Sequence, residues 1–288
     1  MPKGNLGPTG RVTDLLRVPP GPLDLAAVDT RATPGFAGDK DDAAQDHAAL
    51  ADQLAELQEQ LYAEGRTGGS RSILLVLQGM DTSGKGGTIK HVVGQMDPGG
   101  VHVASFGKPT EEELGHDFLW RIRAQLPRAG KVGAFDRSHY EDVVTVRVLG
   151  LADAATVERR IAEVNGFEDE LVAGGTVVVK CFLAISRDEQ KERLLARLDD
   201  PTKHWKYNPG DLDTRARWDD HIAAYADALA QTSTELAPWH VVPADRKWYR
   251  NWAVTNLLIE QLEAMSLRWP EADFDVAAER ERLLADGA

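Results

Sequence analysis

The feature that most constrains the fold is an apolar run that leads directly into a glycine-rich loop. Residues 72–78 read SILLVLQ, and residues 79–85 read GMDTSGK. Glycines permit a tight turn that points backbone N–H groups inward, and the lysine adds a positive charge beside them. A strand, this loop and then a helix form the Walker A arrangement. We therefore predict a phosphate-binding loop that uses Gly79, Ser83, Gly84, Lys85, Gly86 and Gly87.

The remaining pattern predicts a parallel sheet with helices on both faces. Apolar runs typical of buried strands alternate with segments of helical spacing, which favours an α/β architecture. Strands are predicted at 72–78, 101–106, 131–135, 176–185 and 239–242. Helices are predicted at 41–65, 85–96, 110–126, 154–173, 187–198, 214–230 and 247–265. The predicted fold is a P-loop kinase-like, three-layer α/β fold with a five-stranded parallel sheet and a helical lid.

Composition divides the chain into three parts. Residues 1–40 are rich in Pro, Gly and Asp without periodicity, which predicts an N-terminal arm running over the surface. Residues 41–270 form the P-loop domain, with the lid at about 187–217, and residues 271–288 form an acidic C-terminal tail. The leucines Leu50, Leu54, Leu57 and Leu61 share one face of the first long helix. We expect this face to pack on its own domain; a dimer contact is the alternative.

Charge and composition exclude several classes of protein. The formal net charge is −13, and most of the excess acidic residues lie in segments 38–65 and 271–288. A net negative charge argues against a nucleic-acid partner. No apolar run reaches the roughly 18 residues of a membrane span. The start lacks the apolar core of a signal peptide, and the single cysteine, Cys181, excludes an internal disulfide. We expect a cytoplasmic protein without a membrane partner.

The loop departs from the usual Walker A pattern at the position after its lysine. A Ser or Thr hydroxyl that binds Mg²⁺ usually stands there, whereas this chain has Gly86. Asp81 lies inside the loop, where a carboxylate would repel a phosphate unless a cation lay between them. We therefore predict that Asp81 binds Mg²⁺. An aspartate that only shapes the turn is the alternative.

A second acidic motif follows the third strand. Asp136 ends an apolar strand in the manner of a Walker B aspartate, and it can hold Mg²⁺ or orient the attacking oxygen. Arg137 can stabilise charge on a transferred phosphoryl group. Glu141 and Asp142 either face the acceptor or are charges at a helix start. His139 is expected to be structural.

A basic helix and loop predict a lid. Arg193 and Arg197 are four residues apart and share a helix face. The loop after them contains Lys203 and Lys206. Such a segment after the fourth strand can close over phosphates and exclude water. A solvated helix with a surface loop is the alternative.

Several motifs together resemble one family. They read GMDTSGKGG, FGKPTEEEL, DRSHYEDV, ERLLARLDDPTKHWKYNPGDL and PADRKWYRNW. From about residue 49 to residue 270 the chain resembles the polyphosphate:nucleotide phosphotransferases, or type-2 polyphosphate kinases. The resemblance implies a P-loop kinase core, a helical lid, inorganic polyphosphate as donor or acceptor, and Mg²⁺. The RSHYEDV segment resembles the subgroup that accepts AMP as well as ADP.

The resemblance also assigns roles to residues of this chain. It implies that the catalytic residues are Asp81, Lys85, Asp136, Arg137 and Arg197. It also implies that Asp81 and Asp136 position the metal and the acceptor phosphate. We predict that Asp136 and Arg137 bind the nucleotide, together with Glu141 and Asp142 because these two begin the element that follows. For a basic polyphosphate channel, the chain offers Lys108, Arg121, Arg193, Lys203 and Lys206 in addition to Lys85.

These observations leave three hypotheses about function. The first is reversible, Mg²⁺-dependent transfer of the terminal phosphoryl group of polyphosphate to AMP or ADP, giving ADP or ATP. The second is an ATP-dependent kinase of nucleotides or other small molecules. The third is a P-loop nucleotide-binding regulatory protein, for which slow turnover and partner-dependent binding would speak. A homodimer or homotetramer fits the resemblance.

Overall fold

A computed structural model of the chain describes residues 9–286 and contains one five-stranded sheet. The strands are β1 (Ser72–Gln78), β2 (Val101–Ser105), β3 (Val132–Asp136), β4 (Thr176–Ala184) and β5 (Trp239–Pro243). They are all parallel and lie in the order β2-β3-β1-β4-β5. The five predicted strands and the α/β fold class are confirmed.

Helices precede, connect and follow the strands. They are α1 (Val12–Leu16), α2 (Lys40–Arg66), α3 (Lys85–His91), α4 (Glu111–Leu114), α5 (Trp120–Arg123), α6 (Glu141–Val148), α7 (Ala154–Ala173), α8 (Arg187–Leu198), α9 (Asp211–Ala216), α10 (Trp218–Thr232), α11 (Lys247–Ala264) and α12 (Val276–Ala285). Short 3₁₀ turns lie at Leu25–Ala27, Val93–Gln95, Pro98–Gly100 and Pro201–Lys206. No helix within residues 9–286 has the length and apolarity needed to cross a bilayer.

The register of the sheet determines where the site forms. Strand β1 is buried along its whole length, between β3 and β4. Leu77, one residue before its end, pairs with Asp136, the last residue of β3. The loop that follows β1 therefore emerges beside Asp136, at the edge where ligands of open parallel sheets bind.

Three predicted helices are shorter than the sequence pattern indicated. The helix predicted at 110–126 is two short helices, because Gly115 ends α4 and Asp117 accepts a hydrogen bond from Leu119 N (2.9 Å) in the turn before α5. The helix predicted at 85–96 ends as α3 at His91 and continues as a 3₁₀ turn. The last of the three, predicted at 214–230, is divided between α9 and α10 at Arg217.

The described part of the N-terminal arm packs into the core. Its buried apolar residues are Val12, Leu16, Val18, Leu25 and Phe36. Glu260 on α11 accepts hydrogen bonds from the backbone N–H groups of Val12 (2.6 Å) and Thr13 (2.9 Å), at the start of α1. Val18 N donates to Trp239 O (2.8 Å) beside β5. The arm thus runs over the surface and also buries apolar area; residues 1–8 lie outside the described residues.

Helix α2 packs on its own domain, as expected. Leu50, Leu54 and Leu61 are buried, and the helix lies against α11. Asp46 accepts a hydrogen bond from Trp252 Nε1 (2.9 Å) across this contact. At the other end of the chain, α12 is an exposed helix without a buried residue.

One polar cluster, Glu168, Lys180, Tyr140 and His139, lies inside the core between β4, α7 and α6. Lys180 Nζ donates to the Glu168 carboxylate, to Thr232 O (2.7 Å) and to Tyr140 Oη (3.0 Å). Tyr140 Oη donates to Glu168 (2.8 Å), and His139 Nε2 lies 3.3 Å from the same carboxylate. Burial alone would raise the pKa of Glu168, but Lys180 and His139 hold this pKa below its ordinary value. His139 is therefore part of the core.

Candidate active site

The loop between β1 and α3 is tightly turned, as its glycines predict. Gly79 and Gly84 have φ angles of +142° and +111°, in the region that favours glycine. Thr82 also has a positive φ, +66°, and Ser83 N closes a turn onto Met80 O (3.0 Å). A Cβ at Gly79 would lie 2.7 Å from Leu183 O of β4. Residue 79 must therefore be glycine for the loop to leave the sheet at this angle.

Lys85 is buried against this loop. Its Nζ donates to Gly79 O (2.8 Å) and Met80 O (3.4 Å). Burial lowers the pKa of Lys85, the nearby Arg137 lowers it further, and the carboxylates of Asp136 and Asp81 oppose both effects. Within residues 9–286 the ammonium group is bonded only to carbonyl oxygens, which a phosphate oxygen can replace as a stronger, charged acceptor.

Asp81 and Arg137 form an ion pair between the loop and the end of β3. Arg137 Nη2 lies 3.0 Å from Asp81 Oδ1. Arg137 has a φ of +63°, and its backbone N–H donates to Leu77 O (3.1 Å), so the backbone directs this side chain toward the loop. Burial acts to lower the pKa of Arg137, but Glu141, Asp81 and Asp136 together hold it above its ordinary value.

Asp136 and Asp81 are the two carboxylates suited to a divalent cation. Asp136 faces the start of α3, since its Oδ2 lies 3.7 Å from the position of a Cβ on Gly86. Residues 9–286 contain no cluster of three or more His, Cys, Asp or Glu side chains that could hold a metal alone. Mg²⁺ usually binds through one or two carboxylates and completes its shell with water and substrate phosphates. The two aspartates therefore fit Mg²⁺ held jointly with a phosphate.

A polar cavity of about 230 Å³ lies in front of the loop. Its lining includes Asp81, Arg137 and Glu141, and also residues that sequence reasoning missed: Asn208, Asp211, His221 and Tyr225. His221 and Tyr225 are four residues apart on α10 and thus share a helix face, a spacing that could have indicated them. Burial lowers the pKa of His221, which favours its neutral form at pH 7. The Tyr225 hydroxyl is hydrogen-bonded to the side-chain amide of Gln78 (3.2 Å).

The segment predicted to be a lid reaches this cavity at α9, where Asp211 and Thr214 line it. Arg197 on α8 donates to Lys206 O (2.8 Å) and lies 3.5 Å from Asp211 Oδ2. Asp211 lines the cavity, and burial, followed by the nearby Asp81, raises its pKa. The predicted lid arginine is therefore joined to the cavity wall by one carboxylate.

Two arginines predicted to bind phosphate are engaged with protein groups. Arg193 pairs with Glu189 (2.7 Å) and donates to the carbonyls of Thr82, Ser83, Ala244 and Asp245 at 2.6–3.0 Å. Arg121 pairs with Asp142 (2.9 Å) and also lies 3.7 Å from Glu113. The structure thus places Arg193 as a tie between the loop and the end of β5. Asp142 and Arg121 neutralise each other, and neither lines the cavity.

The predicted lysines lie outside the cavity. Lys108 is exposed in the loop after β2. Lys203 pairs with Asp200 (2.6 Å) while half exposed, and Lys206 Nζ lies 4.9 Å from the centre of the Trp205 ring. These side chains could therefore contact only a part of a long anion that extends past the phosphate loop.

Comparison with known proteins agrees with this geometry. A family model described as polyphosphate kinase 2 matches residues 37–270. An AMP/ADP-polyphosphate phosphotransferase of Meiothermus ruber is 46% identical over 255 residues, 88% of this chain and 94% of the relative. An ADP-polyphosphate phosphotransferase of Rhodopseudomonas palustris is 40% identical over 245 residues, 81% of this chain and 82% of the relative.

A solved structure gives the same result in three dimensions. The crystal structure of polyphosphate kinase 2 from Arthrobacter aurescens TC1 superposes with a TM-score of 0.94 at 56% identity. The match covers 96% of this chain and 98% of that one. The glycine-rich loop, the strand-end aspartate and the helices α8 and α9 thus occur in a fold shared along nearly the whole length. The chain belongs to the polyphosphate kinase 2 family.

Proposed function

We propose that this protein transfers the terminal phosphoryl group of inorganic polyphosphate to AMP and to ADP, reversibly and with Mg²⁺. The observation that carries the proposal is that the ion pair of Asp81 and Arg137 lines one cavity, while Lys85 is bonded to the loop residues Gly79 and Met80, which also line it. The names of the relatives supply the donor and the acceptors. AMP is included because the relative from Meiothermus ruber is named for both AMP and ADP.

Donor binding uses the loop and its lysine. The backbone N–H groups of Thr82, Gly84 and Lys85 and the Lys85 ammonium bind the terminal phosphates, while the Ser83 N–H keeps the turn onto Met80 O. Lys85 exchanges its carbonyl contacts to Gly79 and Met80 for phosphate oxygens. Asp81 and Asp136 would hold Mg²⁺, which neutralises charge on the phosphate oxygens.

Transfer itself needs positioning and charge neutralisation more than proton chemistry. An oxygen of the nucleotide's last phosphate attacks the terminal phosphorus of the donor. The bond from that phosphorus to its bridging oxygen breaks, and the donor leaves one phosphate shorter. Arg137 and Arg197 stabilise the transferring group. The acceptor phosphate is already ionised, so no general base is required.

The acceptor is assigned to the cavity between the loop and α10. Arg137 and Glu141 line the phosphate side of this cavity, next to the strand end at Asp136, and Tyr225 and His221 offer ring surfaces on the other wall. A homodimer or homotetramer remains part of the proposal, and light scattering of the purified protein tests it.

The donor and the acceptor are tested by a matrix of reactions. Purified protein with Mg²⁺ receives AMP or ADP as acceptor and polyphosphate or ATP as donor, and the nucleotides are separated by chromatography. Polyphosphate with AMP should yield ADP and then ATP. Conversion of ADP alone would remove AMP from the proposal. Activity with ATP but not with polyphosphate would favour the ATP-dependent kinase. Nucleotide binding without turnover would favour the regulatory protein.

A further inference from the structure

A buried arginine behind the phosphate loop has no role in the mechanism above. Arg250 lies in the first turn of α11 and is 3% exposed. A Cβ at Gly84 would lie 1.7 Å from its Nη1, and a Cβ at Gly87 would lie 3.0 Å from its Nη2. The guanidinium therefore lies directly against the loop backbone, and glycine at both positions makes room for it.

Arg250 lacks a counter-ion among the residues that the structure describes. Among residues 9–286, no carboxylate lies within 4.0 Å of its guanidinium; its Nε (3.1 Å) and Nη2 (2.7 Å) donate only to the neutral Oδ1 of Asn251. Burial and the neighbouring Arg193 lower the pKa of Arg250 to about 10. The group is still charged at pH 7, and a buried charge without a partner is unfavourable.

Arg193 is a second buried arginine near the loop, and its charge is paired within the protein. It is 8% exposed and lies on the same side of the loop, yet it has a carboxylate partner and four carbonyl acceptors. Its charge is satisfied within the protein, so it ties the loop in place. Arg250 instead adds positive potential at the loop that no protein group offsets.

We propose that Arg250 is a positioning residue that supplies the counter-charge for the anionic donor held in the phosphate loop. It acts through the backbone of residues 84–87 and need not touch the phosphates. A bound polyanion offsets a cation that lacks a counter-ion in the free protein, so Arg250 and the ligand stabilise each other. That polyphosphate is the donor rests on the proposed function. The effect of Arg250 on the binding of a phosphate polyanion to the loop does not depend on transfer.

The test compares Arg250→Met with Arg250→Lys and with the matched control Arg193→Met. Arg250→Met should raise the KM for polyphosphate roughly 10-fold, because it removes a buried positive charge that lies against the backbone of the phosphate loop. The KM for AMP should change less than about twofold, because the acceptor lies on the other side of Arg137. Arg250→Lys keeps the charge and should restore most of the affinity.

Thermal unfolding with and without tripolyphosphate separates this role from plain structural support. Free Arg250→Met should unfold at the wild-type temperature or above, with a smaller upward shift when tripolyphosphate is added. Free Arg193→Met should unfold at a lower temperature, since Glu189 loses its partner.

An unchanged tripolyphosphate shift and an unchanged KM in Arg250→Met would overturn the inference. The inference would also be overturned if free Arg250→Met unfolded at a temperature as low as that of Arg193→Met. If wild-type protein binds tripolyphosphate but transfers nothing, the proposed function fails and the binding comparison still decides the role of Arg250.

Discussion

The cluster around Glu168 and the cavity around Asp81 differ in how completely their charges are paired. In the cluster, Lys180 has three acceptors and Glu168 has three neighbouring donors. In the loop beside the cavity, and among residues 9–286, Lys85 is bonded only to carbonyls, and the Asp136 carboxylate at the end of β3 accepts no hydrogen bond. Complete pairing stabilises the fold, whereas incomplete pairing leaves charge available to a ligand.

The largest effect expected from this difference is on transfer. Lys85→Met should lower kcat by a factor of roughly 10²–10³, the loss typical of one group that stabilises transition-state charge. The free energy of unfolding should stay within about 1 kcal/mol of wild type or rise, because the variant removes a buried ammonium that lacks a carboxylate partner. Steady-state kinetics and urea unfolding measure the two quantities. A tenfold or smaller loss of kcat would show that Lys85 is not central to transfer.

The opposite result is expected in the buried cluster. Glu168→Gln should lower the free energy of unfolding by about 3–5 kcal/mol, because Lys180 is left charged and buried. Glu170→Gln is the matched control on the same helix; Glu170 pairs with Arg123 on the surface and should matter by less than about 1 kcal/mol. Denaturant titration compares the two variants. Equal losses would contradict the distinction between paired core charges and surface charges.

A third prediction concerns pH and the edge of the same core. His240 is buried, its ring Nδ1 lies 3.1 Å from Lys180 O, and burial lowers its pKa to about 4. In the unfolded chain this histidine binds a proton near pH 6.5. The contribution of the neutral, buried ring to the free energy of unfolding is therefore fully present above that pH and is lost as pH falls toward 4. The loss assigned to His240 is about 3 kcal/mol between pH 7 and pH 4.

His240→Asn provides the comparison for this pH effect. Urea unfolding at several values between pH 4 and pH 7 should show a flatter pH dependence in the variant than in wild type. The same slope in both proteins would mean that His240 does not titrate in that window.

The smallest effect is expected at the lid surface. Lys203→Ala and Lys206→Ala should each raise the KM for polyphosphate by about threefold or less, because exposed charges are screened. The increase should disappear between 50 and 300 mM salt, on the order of the range over which screening becomes strong. A tenfold, salt-independent increase would place these lysines in a desolvated part of the donor site.

The positions of charged residues that lie close to a strand end could be predicted from the sequence, whereas their roles stay predictions. Asp81, Lys85, Asp136 and Arg137 directly follow apolar runs, so local pattern and sheet geometry together predict their meeting. His221 and Tyr225 were missed because tertiary packing of α10 brings them to the cavity, about 80 residues further along the chain.

Residue type alone does not indicate whether a charged side chain is paired within the protein or left for a ligand. Arg193 and Arg250 are both arginines near the loop, yet one is bonded to protein carbonyls and the other lacks a counter-ion. Their partners come from β5, the loop and α11, and only the folded chain shows which donors remain free. The prediction of one helix at 110–126 was wrong for a related reason. The Asp117 side chain accepts a local hydrogen bond from the backbone of Leu119, and the chain turns there instead of continuing as a helix.

The most direct test of phosphoryl transfer at this loop follows phosphorus by ³¹P NMR in one tube with polyphosphate, AMP, Mg²⁺ and no ATP. We expect that signal lost from the ends of the polyphosphate chain appears first as the β-phosphate of ADP and then as the γ-phosphate of ATP, and that Lys85→Met shows neither within the same time. Release of the chain ends only as inorganic phosphate, or equal rates in Lys85→Met, would contradict phosphoryl transfer at this loop.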